Sequence, residues 1–175
     1  MIVCPIDLWQ PAHPSRWRVG PRPRRPSLIV VHATSGGPDA RNTADRWSRP
    51  PEKDEDATAA HFAIGQDGFL IQVVHLDDIA KHAHLANGRS IGIEFCAREP
   101  GELGPNDPGL PPTAVQLAKG AWLIAWLCEH ESIARARANI LGHAEADPAT
   151  THKGCPTAAG IDLDRLAAAA VAFRP

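Results

Sequence analysis

Apolar and polar positions alternate along this chain in short blocks, and each block predicts an element. Ser27-Leu-Ile-Val-Val-His-Ala-Thr34 is an apolar run that closes on one imidazole and predicts a strand on which Leu28, Val30 and His32 share a face. Asp39 to Ser48 carries helical spacing through Ala40, Thr43, Ala44 and Trp47. Ala59-Ala-His-Phe-Ala-Ile64 and Phe69-Leu-Ile-Gln-Val-Val74 flank Gln66-Asp67-Gly68, a turn signal that predicts two antiparallel strands. In Ser90-Ile-Gly-Ile-Glu-Phe-Cys-Ala97, Ile91, Ile93 and Phe95 fall on one face and Gly92, Glu94 and Cys96 on the other. Glu94 therefore leaves the apolar side. Thr113-Ala-Val-Gln116 has capping-box spacing and opens a helix to His130. That helix is apolar on most sides, through Val115, Ala118, Trp122, Ala125 and Trp126, and is expected to be substantially buried. Ala138 to Leu141 predicts a short strand that delivers His143, and Asp162 caps a last helix from Leu163 to Phe173. No internal repeat is present.

The intervening stretches set the domain organisation. Residues 11–26 are rich in Pro and Arg, with Pro-Arg-Pro-Arg-Arg-Pro at 21–26, and have no packable face. We expect residues 1–26 to be an extended, largely solvated leader and residues 27–175 to be one domain, with Trp9 and Trp17 hinting that the leader docks. Pro50 to Asp56 reads as a solvated charged loop, and the Pro- and Gly-rich stretch from Arg98 to Pro112 as an irregular cleft rim. A chain of 175 residues that is 43% hydrophobic buries a core in one domain and is short for two. The blocks together imply an α/β domain with a mixed central sheet of about five strands flanked by helices.

Composition removes some partners. A net charge of −2 with His neutral offers no basic field for nucleic acid or anionic membrane, although nine histidines would swing it positive in mild acid. Ala121 to Cys128, a long apolar stretch, falls well short of the ~20 residues of a spanning helix. Met1 to Gln10 lacks the pattern of a secretory signal, so synthesis in the cytoplasm is expected. The four cysteines allow two disulfides, but a metal-bound Cys155 leaves an odd three, which fits a reducing compartment.

The stretch with the most chemistry runs from Gly142 to Pro156. Gly142, Pro148, Gly154 and Pro156 forbid one regular element across it, so a loop folds His143 and Cys155 towards each other. Imidazole and thiolate suit zinc, and a catalytic zinc takes three protein ligands and leaves one position open. His32, at its strand end, is the expected third. Spacing alone leaves other readings: a hydrogen-bonded structural His, a buried structural Cys, chelation by His82 and His84, or a closed structural site with His152 as fourth ligand. Glu94 is either a solvent-facing carboxylate or a general base aimed into a cleft, with small Gly92 beside it giving substrate room.

Val31-His32-Ala33-Thr34, His61-Phe62-Ala63-Ile64 with Asp67-Gly68, Ser90-Ile-Gly-Ile-Glu94, Leu141-Gly-His143 and Lys153-Gly-Cys155-Pro156 come in the order and approximate spacing of one family. The chain resembles the zinc-dependent N-acetylmuramoyl-L-alanine amidases, which include phage lysozyme-amidases, cytoplasmic anhydro-muropeptide amidases and peptidoglycan recognition proteins. The resemblance spans Ser27 to Leu166. It implies one zinc ion held by His32, His143 and Cys155, with catalytic roles for Glu94 as proton carrier and Lys153 as oxyanion donor. His61, which supports the pocket without touching metal, and His82 are the implied substrate-pocket residues. The implied substrate is peptidoglycan or a muropeptide, cut by a monomer between N-acetylmuramic acid and L-alanine. Such an enzyme acts on the wall after release or secretion, or on cytoplasmic muropeptides; the alternative is a non-catalytic binding module. The chain departs from the phage pattern in having Ala60 where a catalytic tyrosine is common, and from the cytoplasmic branch in having Cys155 where that branch uses Asp.

Overall fold

The computed structural model of the chain describes residues 1–20, 22, 24–54 and 57–174. Pro21 and Pro23 of the leader, Glu55 and Asp56 of the expected charged loop, and Pro175 lie outside the described residues. The elements are β1 (Leu8–Trp9), β2 (Trp17–Arg18), β3 (Leu28–Ala33), α1 (Ala40–Ser48), β4 (Phe62–Ile64), β5 (Leu70–Gln72), β6 (Ile79–Ala80), β7 (Ser90–Phe95), α2 (Ala114–His130), β8 (Ile140–Gly142), α3 (His143–Ala146) and α4 (Leu163–Ala172).

Six strands form a mixed sheet in the order β1-β5-β4-β7-β3-β8, and β2 pairs with β6 in a separate ribbon. The architecture is the expected α/β domain with helices on both faces. Strand β3 runs parallel to both β7 and β8, and the Gln66-Asp67-Gly68 turn joins antiparallel β4 and β5. Gly68, at φ 80°, supplies the left-handed residue that the turn needs. Asp67 Oδ1 closes it by accepting from the Phe69 N–H at 2.9 Å.

Alternation decides which side each strand residue serves. Ile29, Val31, Ile91, Ile93 and Phe95 are fully buried in one cluster with Leu123, Ile124 and Leu127 of α2 and Leu166 and Ala170 of α4. Burying each such aliphatic or aromatic side chain stabilises the fold by about 1.5–3 kcal/mol, more than an exposed ion pair contributes. The opposite face carries Ala63, Ile71 and Cys96 against Ala40, Ala44 and Trp47 of α1. Thr113 caps α2 through its acceptor oxygen to Gln116 N–H at 3.1 Å. Gln116 does not reach back to complete a capping box; its Nε2 donates to the Ile64 carbonyl at 2.7 Å and ties the helix to the sheet. The buried stripe of α2 is Gly120, Ala121, Leu123, Ile124, Ala125, Leu127 and Cys128, while Val115 is 60% exposed and Trp122 and Trp126 are half-buried. The helix is thus substantially buried, as expected, but along one side, which leaves Val115 and Ala118 exposed.

The N-terminal residues join the domain. Leu8 and Trp9 pair in parallel with Ile71 and Gln72, adding the sixth strand, and Trp122 Nε1 donates to the Val3 carbonyl at 3.0 Å. Arg16 is buried, with Nη1 donating to the Thr58 carbonyl at 2.9 Å. Arg22 Nε donates to the Leu76 carbonyl at 2.8 Å and its Nη1 to the Ser90 carbonyl at 3.0 Å. Arginine is well suited to this because its donor fork satisfies several buried carbonyls at once. A count of packable side chains misses that route into the fold.

Candidate metal centre

Three elements end at one place. Strand β3 carries His32, which is 2% exposed, and in the parallel β3–β7 register His32 lies beside Glu94. Strand β8 runs directly into α3, whose first residue is His143. The following loop returns so that the Cys155 carbonyl accepts from the His143 N–H at 3.2 Å, and Cys155 Sγ accepts from the Ala33 N–H at 3.3 Å. A Cβ on Gly142 would lie 2.9 Å from Pro156 Cδ, so the close return of the loop requires glycine there. One donor atom each from His32, His143 and Cys155 lies within 4.8 Å of the other two, and the His32 and His143 rings meet edge to face at 4.7 Å.

The electrostatics fit a cation of borderline softness. Burial, and then the neighbouring imidazoles His82 and His143, hold His32 well below the usual histidine range; burial also lowers His143. Both rings therefore present lone pairs at neutral pH. Burial, followed by the nearby Glu94 carboxylate, pushes the Cys155 thiol up to about 12. Burial raises Glu94 to about 8, with Arg46 opposing the shift, and its Oε2 is buried without a hydrogen-bond partner among the described residues. Two neutral imidazoles, a thiol that only a nearby positive charge would deprotonate, and an orphaned carboxyl oxygen are the donor chemistry that zinc satisfies. His32, Glu94, Arg46, His143, His152 and Cys155 line a common cavity of about 230 Å³.

The expected pocket residues sit deeper than the sequence implied. His61 is fully buried, with Nδ1 accepting from the Gly92 N–H at 3.0 Å and Nε2 2.6 Å from Arg22 Nη2. Burial and the Arg22 charge lower it to about 3. It has no free edge for substrate, and it braces β7. His82 is 9% exposed; its Nδ1 lies 2.9 Å from His32 Nε2 and its Nε2 3.2 Å from Ser90 Oγ, so both ring nitrogens face protein. The space beside Gly92 is taken by that ring, since a Cβ there would lie 2.6 Å from His82 Nδ1. Room expected for substrate is room for a histidine.

Lys153 is exposed and its Nζ donates to the Pro148 carbonyl at 2.6 Å, lining the pocket that adjoins the cavity on the Cys155 side. His152 is exposed, stacks on His143 at 5.6 Å and lines both. His84 stays apart, 4.0 Å from Asp147 and largely in solvent. Ala60 is fully buried and offers no proton carrier in place of a tyrosine. Arg46 and Ser90 were not singled out from the sequence. Arg46 is one of several charges on a short helix, and Ser90 opens a strand as serines often do, so neither carries a local signal.

Against known proteins, residues 22–158, well over half of the chain, match the family described as N-acetylmuramoyl-L-alanine amidase. A comparison with curated proteins finds no match. Among solved structures, the chain is similar to a mutant endolysin from Bacillus subtilis at 24% identity and a TM-score of 0.65, covering 94% of this chain and 99% of that one. It is similar to an endolysin N-acetylmuramoyl-L-alanine amidase, LysCS, from Clostridium intestinale at 18% identity and a TM-score of 0.64, covering 96% and 97%. A selenomethionine derivative of AmpD matches at 24% identity and a TM-score of 0.62, covering 92% of each chain. The structural likenesses support the fold. With the match of the family to residues 22–158, they show that the chain belongs to the N-acetylmuramoyl-L-alanine amidase family of zinc-dependent hydrolases.

Proposed function

We propose that the chain cuts the amide joining the lactyl group of N-acetylmuramic acid to L-alanine in peptidoglycan or soluble muropeptides. In this reading His32, His143 and Cys155 hold one zinc ion, Glu94 carries the proton, and Lys153 stabilises the oxyanion. The observation that carries it is the unpartnered Glu94 Oε2 in the same cavity as the His-His-Cys cluster. Zinc, when bound there, supplies Lewis acidity towards a carbonyl and makes water acidic enough to be a nucleophile near neutral pH.

The chain's own groups do the rest. His32 and His143 bind as neutral rings, and Cys155 gives up its thiol proton. Glu94, on the polar face of β7, removes a proton from the attacking water and returns it to the leaving amine of alanine, as a general base that becomes a general acid. With no tyrosine in the chain, both duties fall to that one carboxyl. Lys153 reaches the developing oxyanion by leaving the Pro148 carbonyl, which its exposed four-carbon arm permits. His152 is the rival donor because it lines the cavity itself. An unpartnered carboxyl oxygen in the same cavity as a thiol and two imidazoles favours a catalytic role over glycopeptide binding alone.

Digestion of intact walls and of soluble anhydro-muropeptides, followed by mass spectrometry, tests the reaction. The expected products are a peptide with a free N-terminal alanine and an unsubstituted muramoyl lactyl carboxylate. New reducing sugar ends without free alanine would contradict the assignment.

A further inference from the structure

Beneath His32 lies a chain of buried hydrogen bonds whose directions are fixed at its far end. Ser90 Oγ lies 2.7 Å from the Ala86 carbonyl, which only accepts, so the single hydroxyl hydrogen is spent there. The same oxygen lies 3.2 Å from His82 Nε2 and must accept from it. A neutral imidazole has one N–H, so with that proton on Nε2 the other nitrogen of His82 is bare. His82 Nδ1 is 2.9 Å from His32 Nε2 and therefore accepts from it. His32 keeps its proton on Nε2, and Nδ1 is its remaining lone pair.

We infer that Ser90 and His82 are positioning residues that lock His32 in the Nε2–H tautomer and present its Nδ1 to the zinc position. The rest of the fold serves this placement. Asn87 Oδ1 accepts from the backbone N–H groups of His82 and Ala83 at 3.0 and 2.7 Å, which fixes the loop that carries His82. Gly92, on the strand beside His32, leaves the space that the His82 ring fills. Ser90 is fully buried, so no water competes for its hydroxyl. A histidine ligand whose far nitrogen donates to a fixed acceptor is held in one orientation and made more basic; losing such a partner commonly lowers metal affinity by about 10–100-fold. His82 lines the same cavity, and in this assignment its effect on the site runs through His32.

The inference rests on the zinc reading above, and two measurements separate the two. Nitrogen-resolved NMR of the metal-free, ¹⁵N-labelled chain reads the tautomers directly: a proton on Nε2 and a bare Nδ1 are expected for both His32 and His82. A His32 ring protonated on Nδ1 overturns the inference, and this readout needs no variant that must fold. Zinc affinity by chelator competition then compares His82→Leu with His82→Asn, residues of similar size of which only Asn offers an acceptor. The Leu variant is expected to bind about 10–100-fold more weakly, and the Asn variant within about threefold of the parent. Ser90→Ala is expected to weaken binding and Ser90→Thr to restore it. Equal losses for Leu and Asn, or parental affinity for Leu, overturn the positioning role. A parent chain that takes up no zinc overturns the metal assignment itself, whatever tautomer the NMR shows.

Discussion

Burial holds the Glu94 carboxyl at about 8, so in the metal-free chain it keeps at neutral pH a proton that a general base must lose. A cation at the His-His-Cys cluster would favour the ionised form, so bound metal and the working state of Glu94 support each other. Glu94→Gln is expected to leave zinc content unchanged and to lower turnover by about 10²–10⁴-fold. A loss below about threefold would place the base elsewhere. The same substitution has a signature in stability. The folded state binds the Glu94 proton more tightly than the unfolded state, whose carboxyl titrates near 4.5. The metal-free parent therefore loses stability as pH rises from the unfolded value through 8, and Gln, which never ionises, does not. Thermal melts of the two metal-free proteins should diverge over that window, with the Gln variant the more stable at the alkaline end. Parallel melting curves would show that Glu94 is solvated. At the neighbouring turn, Lys153→Ala should lower turnover by ~10² or more with zinc retained, the scale of losing one oxyanion donor. His152→Ala should do much less, and the opposite ranking in steady-state kinetics would assign the oxyanion to the imidazole.

At the scale of elements, α2 shows how tightly the sheet and its covering helix are matched. Gly120 sits mid-helix, where glycine costs roughly 1 kcal/mol relative to alanine. A Cβ there would overlap the ring of fully buried Phe95 on β7. Overpacking of about 1–3 kcal/mol outweighs the gain in helix propensity. Gly120→Ala is therefore expected to lower the melting temperature by a few degrees, roughly 2–8 °C; an unchanged or higher value would mean the contact relaxes freely. Alternation and caps made these elements legible beforehand. The two faces of β7, the Thr113 and Asp162 caps and the hairpin at Gly68 follow from periods and turn chemistry that operate within a few residues. The buried stripe of α2 was less legible, because nearly every position of the helix is apolar and only the sheet decides which side faces inward.

Across the whole molecule, what the sequence concealed are contacts between distant segments made through polar groups. Arg16 and Arg22 enter the fold through backbone carbonyls of residues far along the chain, and His61 and His82 serve as hydrogen-bonding posts for β7 and His32. No local pattern announces such a role, and a histidine near a cleft motif reads equally well as a pocket residue. The three candidate ligands were legible only together, since their order matches a family while each alone is ordinary. Their convergence from β3, α3 and the returning loop is the claim on which the chemistry depends. It makes a further demand on pH: the thiol is pushed up to about 12, so zinc uptake must expel its proton, and affinity should rise by at least about tenfold per pH unit near neutrality, more steeply in so far as the Glu94 proton leaves with it. The most direct measurement is the zinc content of the purified chain and of Cys155→Ala, equilibrated against the same buffer, with amide hydrolysis assayed on both. About one ion per chain in the parent, with little metal and no hydrolysis in the variant, is expected for a three-ligand site. Equal zinc in both proteins, or full activity in a chelated Cys155→Ala chain, would contradict it.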